Sequence, residues 1–120
     1  MLLILDIGTS SMRGMLMDDY GHILKSCQSK YWLHYTSEGG VLMEMRQLDE
    51  ALDRCLREIG DFCVTEKIKL DGISVTAQRS SVIPMGKDGH ALCHAVMWQD
   101  KRCVGLIEEL APKTKTIYGI

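Results

Sequence analysis

The residues best equipped by type for chemistry follow a short apolar run near the start of the chain: Asp6-Ile7-Gly8-Thr9-Ser10-Ser11-Met12-Arg13. A carboxylate, a glycine and small hydroxyl residues in one tight turn are what a phosphate site needs. Glycine lets the backbone come close, successive N–H groups and hydroxyls donate to phosphate oxygens, and the carboxylate can hold a hydrated Mg²⁺. The same residue types also build a plain hairpin turn, and the turn alone leaves both readings open. A second set lies far downstream: Gln78, Arg79, Trp98, Asp100 and Arg102. By type alone, Arg79 can donate with its planar fork and the Trp98 indole offers a broad apolar face. Trp98 is also readable as a core residue, and Asp100 with Arg102 as a structural ion pair opening a last helix.

The elements that must position these groups can be read from periodicity. Leu2-Leu3-Ile4-Leu5 is an unbroken apolar run, the pattern of a central strand covered on both faces. After the Asp6 turn, residues 12–17 read as a second strand, and Asp18-Asp19-Tyr20-Gly21 supplies a turn into a third over residues 22–31. Apolar residues from Leu48 to Cys63 then recur at helical spacing, which predicts an amphipathic helix over residues 48–65 with a solvated charged face. Asp71-Gly72 leads into Ile73-Ser74-Val75-Thr76, a strand that lies parallel to the first if the helix crosses back over the sheet. The expected class is α/β, ordered β-β-β-α-β with a mixed sheet. Beyond it, residues 81–85 and 91–97 flank the turn Gly86-Lys87-Asp88-Gly89, and residues 100–110 read as a helix closed by Pro112. The final Thr116-Ile117-Tyr118-Gly119-Ile120 is apolar with no polar tail, which suggests a truncated domain.

Composition narrows the partners. A length of 120 residues suits a single domain. Charged residues make up 25% and the formal net charge is -2, so there is no basic field for nucleic acid or an anionic membrane. The apolar start is stopped by Asp6 and lacks a basic n-region, so neither a signal peptide nor a membrane span is read there, and a cytoplasmic setting follows. The five cysteines are an odd set without a C-x-x-C pair, which argues against a disulfide framework and a zinc site and for reduced thiols in a core.

Taken in order, the motifs carry a resemblance. Asp6-x-Gly8-Thr9-Ser10-Ser11-x-Arg13 on a first hairpin resembles the first phosphate loop of the actin, Hsp70 and sugar-kinase superfamily, a fold that is ribonuclease H-like. The segments Gly72 to Ser81, Asp88-Gly89 and Ala95-Val96-Met97-Trp98-Gln99-Asp100-x-Arg102 resemble the FGGY carbohydrate kinases in order and spacing. The resemblance implies that residues 1–120 are the N-terminal part of a first lobe, an incomplete domain. It implies ATP and Mg²⁺, with Gly8, Thr9, Ser10, Ser11 and Arg13 near the transferred phosphate and Asp6 organising the metal through water. It places Gln78, Arg79, Trp98 and Asp100 on a sugar or polyol. Gln78-Arg79 is similar to the pair found in glycerol kinases and departs from the Gln-Met-His of xylulokinases. The stretch Glu44-Met45-Arg46-Gln47 matches the family's pattern poorly, and no functional residue is drawn from it.

Phosphoryl transfer to a hydroxyl needs a general base, and the family's base is an Asp beyond residue 120. The segment alone is therefore expected to be inactive. Two other classes share some of these features. A ribonuclease H-like nuclease has the same strand order but needs further carboxylates converging on Asp6, where the parallel strand offers Thr76 and Gln78. A non-catalytic module, burying its open face against a copy of itself, would be a homo-oligomer.

Overall fold

The computed structural model describes residues 1–113; the apolar ending at residues 116–120 lies outside the described residues. The main sheet contains β1 (Leu2–Ile7), β2 (Ser11–Met17) and β3 (Ile23–Lys30) as antiparallel neighbours. Its fourth strand, Gly72–Ala77, runs parallel to β1, giving the spatial order third, second, first, fourth. The helix α1 (Met45–Thr65) supplies the crossover that this parallel pairing requires. The β-β-β-α-β order with a mixed sheet is thus as the sequence predicts.

Each boundary has a local cause. The turn between β2 and β3 places Gly21 at φ 86, and the Asp18 carboxylate accepts from the N–H groups of Tyr20 and His22 at 2.9 and 2.8 Å. α1 ends where Lys67 takes φ 54 and the N–H groups of Ile68 and Lys67 return to the carbonyls of Cys63 and Val64. This pairing satisfies two otherwise orphaned helix carbonyls. The helix starts three residues before the predicted boundary, because its first turn is largely polar and carries no apolar period.

Ala51, Cys55, Ile59 and Cys63 recur every fourth residue and form the buried stripe of α1. They pack on Leu3, Leu5, Met12, Leu16 and Cys27, the face of the sheet that also holds Gly14. The prediction that β1 is covered on both faces is not met. Leu3 and Leu5 are buried, whereas Leu2 is 46% exposed, because α1 covers one face and no described element covers the other.

A second sheet was not legible from the sequence. It joins β4 (Leu33–Tyr35), β5 (Val41–Met43) and a two-residue strand over Ala95–Val96, all antiparallel. In chain order Gly72–Ala77 is β6 and Ala95–Val96 is β7. The expected hairpin around residues 86–89 is reduced to single bridges, Met85 to Ala91 and Val82 to Val96. The last helix, α2 (Val104–Leu110), begins four residues later than predicted and leaves Asp100 in the preceding turn. Pro112 falls in the 3-10 turn Ala111–Lys113 that follows it.

Candidate functional site

Parallel strands β1 and β6 deliver their carboxyl ends to the same edge of the sheet, where ligands of open α/β sheets bind. The turn Gly8–Ser10 leaves β1 there, and Gln78 extends the ladder by donating its N–H to the Ile7 carbonyl at 2.8 Å. The two motifs, some seventy residues apart in sequence, meet at the Thr9 hydroxyl. It donates to Gln78 Oε1 at 3.0 Å and accepts from Trp98 Nε1 at 3.1 Å.

The turn is held tightly. Gly8 N–H donates to the Ser11 carbonyl at 3.0 Å, and a Cβ on Gly8 would lie 3.2 Å from that same oxygen. Tyr31 clamps the turn from below: its hydroxyl donates to the Gly8 carbonyl and its N–H to the Ser10 carbonyl at 3.1 Å. Tyr31 is 2% exposed, and burial first, then the Asp6 charge, pushes its phenol above the usual range, so it stays a donor. The sequence reading missed Tyr31. The only signal was its place just after β3, since pairing Ser11 with Lys30 sets residue 31 beside Ser10.

The Gly8 and Ser10 carbonyls are occupied, whereas two of the turn's backbone donors stay open. Among the described residues, the N–H groups of Thr9 and Ser10 have no partner. Beside them is a cleft of about 400 Å³ reached by Ser10, Ser11, Arg13 and Lys30. Asp6 and Arg13 are cross-strand partners with a carboxylate-to-guanidinium distance of 3.8 Å. The Ser11 hydroxyl accepts from Gln28 Nε2 at 2.9 Å.

On the Gln78 side of the turn, Arg79 makes no hydrogen bond or ion pair among the described residues. It shares a cleft of about 540 Å³ with Ser80 and Trp98. Ser80 takes φ 67, a conformation unusual for a residue with a Cβ and one that concentrates at functional sites. Trp98 is 56% exposed, so it is not a core residue. Its backbone N–H donates to Ser81 Oγ at 3.1 Å, a second anchor that the sequence reading did not single out.

Asp100 forms an ion pair with Arg102: Oδ2 accepts from Arg102 Nη2 at 2.6 Å and Oδ1 from Arg102 Nε at 3.0 Å. Oδ2 also accepts from the Val41 N–H at 3.0 Å, tying the Trp98 loop to β5. Arg102 foremost, then the Val41 N–H, holds the Asp100 carboxyl well below the usual carboxylate range. The cysteines divide, against the expectation of thiols in a core: Cys27, Cys55 and Cys63 are buried, Cys93 and Cys103 exposed. Among the described residues there is no cluster of three or more metal-ligating side chains, and no helix is long and apolar enough to cross a membrane.

This arrangement has known counterparts. Residues 1–118 match the model of the FGGY family of carbohydrate kinases, N-terminal domain. Glycerol kinase from Thermococcus onnurineus is 30% identical over 109 residues, which cover 91% of this chain and 22% of that protein. Two solved structures share the fold. Xylulose kinase from Rhodospirillum rubrum superposes with a TM-score of 0.86 at 21% identity, covering 93% of this chain and 23% of the other. Plasmodium falciparum glycerol kinase with ADP gives 0.82 at 23% identity, covering 94% and 23%. The chain therefore spans between a fifth and a quarter of the length of these relatives, and its fold is that of the actin-like sugar kinases. The match along almost all of its length leaves one assignment, and the chain belongs to the FGGY family of carbohydrate kinases, matching it in the N-terminal domain.

Proposed function

We propose that this chain is the N-terminal segment of an enzyme that transfers the γ-phosphate of ATP to a hydroxyl of a sugar or polyol. The observation that carries the reading is the meeting of the Gly8–Ser10 turn with Gln78 and Trp98 at one hydroxyl. Phosphate donors and a sugar surface side by side are what in-line transfer demands.

In this reading the free N–H groups of Thr9 and Ser10, with the Ser10 and Ser11 hydroxyls, face the transferred phosphate, and Arg13 adds positive charge. The Asp6 side chain is 38% exposed, and one of its oxygens has no partner among the described residues. A single accessible carboxylate suits Mg²⁺, which dehydrates reluctantly and keeps several waters. Bound there through water, the ion would neutralise charge developing on the phosphate oxygens. Arg79 and Gln78 hold substrate hydroxyls, Trp98 covers the C–H face, and Asp100 contributes by fixing the Trp98 loop through Arg102 and Val41. The base that takes the hydroxyl's proton belongs to the part of the enzyme beyond this segment. The free thiols fit a reducing, cytoplasmic setting.

The test is sugar-dependent ADP release across polyols, ketoses and aldoses, with Mg²⁺-ATP and a no-sugar control. The enzyme carrying this segment is expected to turn over at least one of them, and the 120-residue chain none. Turnover by the short chain alone would overturn the placement of the base.

A specific feature favours a second property of the isolated segment. Among the described residues the outer edge of β6 is unpaired, and the strand carries no charge or proline, while Ile73 and Val75 are 57% and 60% exposed. Such an edge invites pairing. We propose that the isolated chain self-associates, and a monomer by light scattering at high concentration would refute this.

A further inference from the structure

We infer that the Thr9 side chain is a positioning residue for the sugar-facing pair Gln78 and Trp98, and that its hydroxyl is not a phosphate donor. The inference rests on the kinase reading for the nature of the ligand, and on geometry alone for the relay.

An indole N–H only donates, so at 3.1 Å from Trp98 Nε1 the Thr9 oxygen must accept. A hydroxyl has one proton, and at 3.0 Å from Gln78 Oε1 that proton is donated to the amide oxygen. None is left for a phosphate oxygen. The backbone of Thr9 stays with the phosphate turn, whereas its side chain belongs to the other pocket.

What the relay accomplishes follows from the exposure of Trp98. An indole that is 56% exposed is not held by packing, and an unanchored one would lose rotamer freedom each time a ligand docked. Two anchors replace burial here, the Ser81 hydroxyl at the backbone and the Thr9 hydroxyl at the ring. The same hydroxyl fixes the amide plane of Gln78, turning its Nε2 donors away from the turn. Removing one methyl-sized oxygen from the phosphate turn should therefore loosen the sugar side.

The chain has two tryptophans, so an indole ¹H–¹⁵N spectrum shows two cross-peaks, and Trp98→Phe assigns them. Trp32 is 76% exposed and its ring N–H has no partner among the described residues, which makes it an internal reference. The Trp98 N–H is expected to exchange with water more slowly than that of Trp32. Thr9→Val, or Thr9→Ala where valine disturbs folding, should move it to the Trp32 position and rate, and Thr9→Ser should restore it. An unmoved resonance in a folded Thr9→Val chain overturns the relay.

In the enzyme carrying this segment, Thr9→Val should raise the sugar KM by about tenfold and leave the ATP KM within about twofold. The opposite split, a raised ATP KM with the sugar KM unchanged, overturns the inference by making the hydroxyl a phosphate donor. Absence of sugar-dependent turnover in the wild-type enzyme overturns the kinase reading and the platform role with it, and the indole resonance distinguishes that failure from failure of the relay.

Discussion

Gly14 sits on β2 opposite Leu5, against α1, and an alanine there has nowhere to go. Its Cβ would lie 2.9 Å from Cys27 Sγ, 3.5 Å from Ile59 Cγ1 and 3.6 Å from Cys55 Cβ. Only the first contact is a clash, since non-bonded carbons rest at about 3.5–4.0 Å. Cys27 cannot swing away freely: it is 8% exposed, and its thiol points at the Cys55 carbonyl at 3.7 Å. Overpacking of this kind costs about 1–3 kcal/mol. The φ of Gly14 is not in the left-handed region, so replacing glycine also returns about 0.4–1 kcal/mol by restricting the unfolded chain. Gly14→Ala is thus expected to lose about 1–2 kcal/mol. Cys27→Ala removes the clashing atom, and in that background the same substitution should be neutral or slightly stabilising. Equilibrium urea unfolding of the wild type, both single variants and the double variant gives the cycle. The expected coupling is about 1–3 kcal/mol in favour of the double variant. A coupling below about 0.5 kcal/mol, with equal m-values, would show that the sheet and α1 are not packed as described.

Three further outcomes bear on the site and its frame. In the enzyme carrying this segment, Asp6→Ala should lower kcat strongly, whereas Arg79→Ala should mainly raise the sugar KM; an unchanged kcat in the Asp6 variant argues against the phosphate-site assignment. The Asp100 carboxyl is held below its ordinary value of 3.8, so its contribution to stability is complete above that pH and fades as the pH falls below it. The difference in urea midpoint between wild type and Asp100→Asn should be constant from neutral pH down to about 4 and narrow below; a gap unchanged at about pH 2 refutes the pairing with Arg102 and Val41. Burial pushes the Cys55 thiol up to about 12, and Cys27 and Cys63 are buried with it. Iodoacetamide should therefore modify Cys93 and Cys103 in the folded chain and the other three only after denaturation, as read by intact mass; early labelling of Cys55 counts against the core.

The parts of this molecule that the sequence announced are those whose signal is local. An apolar run before Asp6, Asp18-to-Gly21 turn chemistry and a four-residue apolar repeat through Cys55 and Ile59 each dictate their own element. β4 and β5 have no such signal, because strands of three residues show no period, and β7 keeps two residues of the 91–97 segment that the turn announced and pairs them with β5. The site divides in the same way. Asp6 and Gly8 stood out as candidates by type and spacing and Arg79 through the family resemblance, but Tyr31 becomes a clamp only through the register of β2 and β3. Asp100 illustrates the limit from the other side. Its type and position fit a ligand contact as well as an ion pair, and its tie to the Val41 N–H, 59 residues away in sequence, is set by the fold alone. Thr9 belongs to both groups, since its backbone place follows from the motif and its side-chain partners follow from the fold. The Gly8–Ser10 turn and the Gln78–Trp98 surface are therefore joined through a residue whose motif shows only the first of its two attachments.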